Sequence, residues 1–153
     1  MYLYLTYIMK YQDLSWLKLC KENHSEIRKK AVLWRKQQSL IKIDKPSRIK
    51  RAHQLGYKAK PGIITIRMRV GAGGMRKHRP KGGRRPKHLG VSRIKSSTNM
   101  KQVAENRVAQ RYCNMTILGS YFVYGDSLHY WYEIILADKY NHNVLQNVMT
   151  QIK

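Results

Sequence analysis

Apolar and polar positions repeat along this chain with periods that change from segment to segment. Residues 3 to 20 follow helical spacing. Leu3, Tyr7, Tyr11, Leu14 and Lys18 form one row and Tyr4, Ile8, Tyr11 and Ser15 another, so the apolar face is wide. Lys21 to Asn23 interrupt the pattern. Ser25 starts a second helical stretch in which Ile27, Ala31 and Trp34 share a stripe, and Arg28, Lys29, Lys30, Arg35 and Lys36 face elsewhere. Ile41 to Pro46 reads as a connector, because proline disfavours helix at the preceding Lys45. From Ser47 a short helix fits, with Ile49, Ala52 and Leu55 on one stripe and Gly56 placed as its left-handed terminator. Arg48, Lys50 and Arg51 would then lie outside.

The clearest strand is GIITIRMRV. Ile64, Ile66, Met68 and Val70 alternate with Ile63, Thr65, Arg67 and Arg69. Gly71 to Gly90 reads as a loop that cannot bury itself. Ser96, Ser97 and Thr98 are placed to cap a helix whose apolar stripe is Met100, Val103, Ala104, Val108 and Tyr112. In MTILGSYFVY both faces are apolar, as in an interior strand. Gly125-Asp126-Ser127 predicts a hairpin turn, and HYWYEIILAD returns with Tyr130, Tyr132, Ile134 and Leu136 on one face. Asn141-His142-Asn143 reads as a further turn. The expected fold class is α/β in the α+β sense: a small mixed, largely antiparallel sheet covered by helices. One domain spans 1–153. It divides into an N-terminal helical region at 1–44, a basic segment at 45–95, a helix–strand–hairpin core at 96–140 and a short tail at 141–153.

Charge changes the picture. The chain carries 31 Lys plus Arg against 8 Asp plus Glu, a net charge of +23 with pI near 10.3. Between Lys45 and Lys95 stand 17 Lys or Arg and no acid. Such a segment repels itself, and a dense polyanion is the partner that relieves it; nucleic acid comes first. Arg67 and Arg69, two apart on one strand face, lie about 7 Å from each other, close to the spacing of successive phosphates. With Lys58 and Lys60 they are expected to form a rigid phosphate-binding strip. The Arg76 to Lys87 loop is expected to order only on RNA, since glycines admit phosphates closely and Arg forks bind them in pairs.

Other chemistries fit less well. Gly71-Ala72-Gly73-Gly74 matches neither a dinucleotide fingerprint nor a Walker loop. Cys20 and Cys113 have no metal-finger spacing and read as two unpaired small hydrophobes in a reducing compartment. The eight carboxylates are Asp13, Glu22, Glu26, Asp44, Glu105, Asp126, Glu133 and Asp138, and they do not converge as a metal-dependent nuclease requires. No histidine pairs with a Ser or Cys as a nucleophile's base, so no enzyme is expected. His78 and His88 read as phosphate or ribose partners. The first nine residues are apolar, too few for a membrane span and lacking the leading basic region of a secretory signal, so a cytoplasmic location is expected. A membrane-surface protein would carry its cations on one amphipathic helix. A nucleoid or architectural DNA-binding protein is the alternative, weakened by the lack of a helix-turn-helix, a finger or paired repeats. Gly/Arg loops on a compact body suit irregular folded RNA better.

From Lys45 to Ala137 the sequence resembles large-subunit ribosomal protein fifteen of the archaeal and eukaryotic type, a family unrelated to the bacterial protein of that number. The resemblance is carried by Pro46, Arg48, Arg51-Ala52 and LGYKAKPG (with Pro61 where the family usually has Gln), then by IRMRV with its Gly-Gly and basic run. RRPKHLGV looks archaeal. QVAENRVAQRY is similar to the family's AEERA helix, with Asn106 replacing an acid. GSYFVYGDSLHYWYEIILAD departs from the family motif at Gly119, Phe122 and Tyr124-Gly125. The resemblance implies a structural protein of the large ribosomal subunit, with its basic loop among rRNA helices and no catalytic role. Residues carried over as RNA contacts are Arg48, Arg51, Tyr57, Lys58, Lys60, Arg67, Arg69, Arg76, Lys77, His78, Arg79, Lys81, Arg84, Arg85, Lys87, His88, Arg93 and Lys95. The partners implied are large-subunit rRNA and neighbouring ribosomal proteins, with no membrane and no small-molecule substrate. No cofactor or protein-held metal is implied, beyond structural Mg2+ that accompanies rRNA. The location implied is the cytoplasmic ribosome. Family members are expected to continue into a further basic, Gly-rich tail; this archaeal-like chain is read as C-terminally short, with Tyr140 to Lys153 departing from the family pattern.

Overall fold

A computed structural model describes residues 24–74 and 96–141, together with 11, 14–16 and 18–20. Its elements in chain order are α1 (His24–Lys36), β1 (Leu40–Ile43), α2 (Ile49–Gln54), β2 (Ile63–Gly71), α3 (Met100–Arg111), β3 (Met115–Gly125) and β4 (His129–Asp138). The expected helix over 3–20 is helical at its described positions and otherwise lies outside the described residues. So do most of the 71–90 loop and the tail, including His142 and Asn143 of the turn expected at 141–143.

The four strands form one antiparallel sheet in the order β1-β2-β4-β3. Two sequence expectations change here. The 41–46 connector is in part a strand: Leu40 to Ile43 pair with Met68 to Thr65. Its LIKI pattern is short, and the proline that ends it drew the reading toward a turn. The strand read as interior, β3, is an edge strand, while β4 is the interior one. The apolar content of β3 has another cause. Register shifts between Ile117 and Gly119, and between Phe122 and Tyr124, break its alternation. Ile117 therefore faces one core while Leu118, Tyr121, Val123 and Tyr124 face the other.

Both sheet faces are covered. On one, Ile66, Met68 and Val70 of β2 and Ile134 and Leu136 of β4 pack against Ala104 and Val108 of α3. On the other, Trp131 and Ile135 of β4 and Tyr121 and Val123 of β3 meet Ala31 and Trp34 of α1 and Ala52 of α2. The two indoles lie 5.9 Å apart between centroids. Covering both faces explains why β4 reads as a nearly continuous apolar run.

The helix ends follow local chemistry. α3 is capped by Asn99, not by the Ser-Ser-Thr run before it. The Asn99 side chain accepts from the Gln102 N–H at 2.8 Å, and the Asn99 N–H donates to the Gln102 side chain at 3.0 Å. Asn99 stands three residues ahead of a Gln, the spacing a reciprocal cap needs. α2 ends as expected at Gly56, whose φ is 91°. The Gly56 N–H donates to the His53 carbonyl and the Tyr57 N–H to the Ala52 carbonyl, closing the helix with a left-handed residue.

At the β3–β4 hairpin a Cβ on Gly125 would sit 2.6 Å from the Tyr130 ring and 3.2 Å from Phe122. Gly125→Ala is expected to destabilise the protein by about 1–3 kcal/mol through overpacking, read as a lower urea midpoint at unchanged slope.

Candidate nucleic-acid interface

The basic residues of the described chain separate into two groups by what holds them. The first group is engaged inside the protein, and Arg67 leads it. Sequence alternation placed Arg67 beside Arg69 on an open face of β2. Helix α1 and the segment before α2 cover that face at Arg67. Its guanidinium donates to Glu133 Oε1 at 3.1 Å and to Ser47 Oγ at 3.3 Å, and lies 4.2 Å over the Trp34 ring. Its Nε has no hydrogen-bond partner; the ring face of Trp34 lies against the group instead. Arg69 is half-buried and donates through Nη1 to the Arg35 carbonyl. The expected continuous strip of Lys58, Lys60, Arg67 and Arg69 is therefore interrupted at Arg67.

Glu133 makes this arrangement possible. It is fully buried on β4, opposite Arg67 in the β2 register. Besides Arg67, its carboxylate accepts from the Ser47 N–H at 2.8 Å, the Ser47 hydroxyl at 2.6 Å and the Tyr121 hydroxyl at 2.6 Å. Burial raises the Tyr121 pKa far above the usual phenol value. The negative charge of Glu133 and the bond to it add to the shift, while the backbone and charge of Arg48 pull the other way. Tyr121 therefore stays protonated as a donor. A carboxylate removed from water needs donors of this number, because desolvating it alone is costly.

Asp126 plays a similar part at the hairpin. Its side chain accepts from the backbone N–H groups of Leu128 and His129, and pairs with Arg35 of α1 at 2.6 Å. Burial would raise its pKa, but the two N–H bonds and the Arg35 guanidinium outweigh burial and hold it below the usual carboxylate value.

The second group faces outward near the turn between α2 and β2. Arg51 is exposed and donates to the Gln54 side chain of its own helix at 3.1 Å. Lys60 is exposed, and Arg48 and Lys58 are half-buried. Tyr57 packs by its ring on His53 and the core, with its hydroxyl directed to the Asp44 carbonyl at 3.4 Å. Tyr57, Lys60 and Lys42 of β1 line one open cleft of about 390 Å3. The sequence reading missed Lys42 because it missed β1; the alternation in Leu40 to Ile43 was the available signal. It also missed the buried role of Glu133, whose place in an apolar run across from Arg67 was the signal. Arg76, Lys77, His78, Arg79, Lys81, Arg84, Arg85, Lys87, His88, Arg93 and Lys95 lie outside the described residues. In the chain they fall between β2, which ends at Gly71, and α3, which begins at Met100.

Residues 2–151 of the 153 match the family described as Ribosomal L15, of the L15e type. The chain belongs to that ribosomal L15 family. The match extends past both ends of the 45–137 segment on which the resemblance rests, and takes in both the N-terminal region and the residues after Tyr140. As a ribosomal L15 protein the chain is a structural constituent of the large ribosomal subunit and serves translation. Its family is one of structural rather than catalytic proteins, and it associates with the rRNA and proteins of the ribosome. Among the described residues no helix of this L15 protein is long and apolar enough to cross a membrane. Among the same residues no three His, Cys, Asp or Glu side chains gather as metal ligands.

Two outcomes are expected. Glu133→Ala leaves Arg67 and its neighbours facing an empty buried site and should lower unfolding free energy by about 3–5 kcal/mol, whereas Arg67→Met with Glu133→Leu should cost far less; chemical denaturation of the three proteins decides it. Asp126 has a folded pKa below its unfolded one. Its stabilisation is thus complete above the unfolded carboxylate value near 4 and is lost as pH falls through the folded value. The stability gap between the native protein and Asp126→Asn should accordingly narrow as pH falls below the unfolded carboxylate value near 4, and a gap independent of pH would contradict this.

Proposed function

We propose that this ribosomal L15 protein binds and stabilises folded large-subunit rRNA as one unit, using two parts of its basic segment. The first is the surface around the α2–β2 turn, where Arg48, Arg51, Tyr57, Lys58 and Lys60 stand on a rigid sheet-backed support, with Arg69 nearby. The second is the run from Arg76 to Lys95. Arg67 is assigned a structural role within the first part, not a phosphate contact.

The observation that carries this reading is the division of the charges. Arg35, Arg67 and Lys101 pair with Asp126, Glu133 and Glu105. With only eight acids in a chain of net charge +23, most cations have no acid to meet. A field of that size concentrates phosphate. The reading needs no cofactor; Mg2+ enters only as a companion of the RNA. It needs no catalytic group, and its neighbours are other large-subunit proteins.

Two measurements test it. The protein in fractionated lysate should sediment with the large subunit and stay there through a high-salt wash. Recovery at the top of the gradient or with the chromosome would overturn the reading in favour of an off-ribosome nucleic-acid binder. Binding of the purified chain to large-subunit rRNA should weaken with salt, with a log–log slope of roughly −0.7 to −0.9 for each phosphate neutralised; a slope near zero would exclude an electrostatic interface.

A further inference from the structure

We infer that the cleft between the β1 edge and the C-terminal half of α3 is a second RNA site, one that takes a single unpaired nucleotide of folded RNA. The inference rests on the rRNA-binding reading above, and of the residues placed at that surface it shares only Lys42. The cleft measures about 600 Å3, within the roughly 300–1,000 Å3 typical of clefts that hold small ligands. Arg107 and Arg111 line one wall and Lys42 the other, with Gln38 and Ser39 at the strand's entry and Tyr112 at the helix end. Leu40 and Met68 supply an apolar floor.

Internal stability does not explain these cations. Arg107 and Arg111 stand one turn apart on the same face of α3, a like-charge spacing that mildly opposes the helix. Arg111 in the last turn is favoured by the helix dipole, but Arg107 lies one turn earlier, where that effect fades. No carboxylate lines the cleft. Arg35, Arg67 and Lys101 each have an acid partner, while no such pair holds Lys42, Arg107 or Arg111 among the described residues. All three are exposed.

The shape selects the ligand. A duplex presents convex rows of phosphates, which a concave cleft meets poorly. An unpaired nucleotide offers a phosphate for the arginine forks and a flat base for an aromatic ring. Tyr112 is half-buried against the core under α3, so its ring is held in place at the cleft. Gln38 and Ser39 add donors and acceptors suited to a base edge or a ribose hydroxyl.

The test uses the full chain bound to large-subunit rRNA. Lys42→Gln, Arg107→Gln and Arg111→Gln are combined; all lie on the surface, and the melting curve should be unchanged. Base-reactivity probing is expected to show one unpaired nucleotide, protected by the native chain, become reactive while the remaining footprint persists. The salt slope should become shallower by roughly 0.7–0.9, the share of the one phosphate that the three cations hold. A photo-crosslinker in place of Gln38 should capture rRNA. An unchanged footprint and slope would overturn the cleft site while leaving rRNA binding in place. Crosslinking to a neighbouring protein would overturn it in favour of a protein contact. Absence of any footprint from the native chain would overturn both readings together.

Discussion

The Glu133 carboxylate has to be satisfied from three directions, because it sits on the interior strand with no exposure to water. Its donors come from β2, from β3 and from the segment that leads into α2. Each donor is useful only if its element stands at one register. A one-residue slip of β2 would turn Arg67 to the opposite face and put an apolar side chain against the charge. Loss of the Ser47 contact would free the segment before α2, and with it the basic turn that α2 leads into. A buried charge thus couples sheet register to the placement of surface charge.

Acids elsewhere act in the same spirit. Asp126 ties the far hairpin to α1 through Arg35, and Glu105 accepts from Ser120 across the face between α3 and β3. Carboxylates are scarce in this chain, and Glu105, Asp126 and Glu133 are joints between elements. Exposed cations such as Arg51 and Lys60 are then presented on a framework that these acids hold together. That separation suits a protein whose work is to hold a large polyanion: surface charges can be spent on the ligand without loosening the core.

Much of the framework was legible in the residues. The Ile27, Ala31 and Trp34 stripe, the alternation in β2, the Gly56 terminator and the Gly125 to Ser127 turn all rest on local chemistry, which sequence displays directly. What escaped depended on partners distant in the chain. β1 is four residues long, and only its pairing with Met68 to Thr65 makes it a strand. The edge position of β3 follows from β4 inserting beside β2, a choice of topology that no local pattern announces. Arg67 was read as outward because alternation gives the face of a strand but not what covers that face. The covering elements, α1 and the Ser47 segment, announce themselves only through Glu133, one acid in an apolar run. Asn99, not the Ser-Ser-Thr run before it, caps α3, and its three-residue distance to Gln102 is the local signal for that.

The pairing of β2 with β4 also sets a timetable. Arg67 and Glu133 are separated by 66 positions in the chain. At about 5–20 residues per second of synthesis, the cation precedes its counter-charge by roughly 3 to 13 s. Through that interval the nascent β2 has β1 on one side and an unpaired edge on the other, and the basic segment is completed at Lys95, well before Glu133 is made. The sheet cannot close progressively; it closes when the last strand arrives. A newborn chain of this kind is a polycation with an open strand edge, and its exposure to wrong partners ends only with its final hairpin.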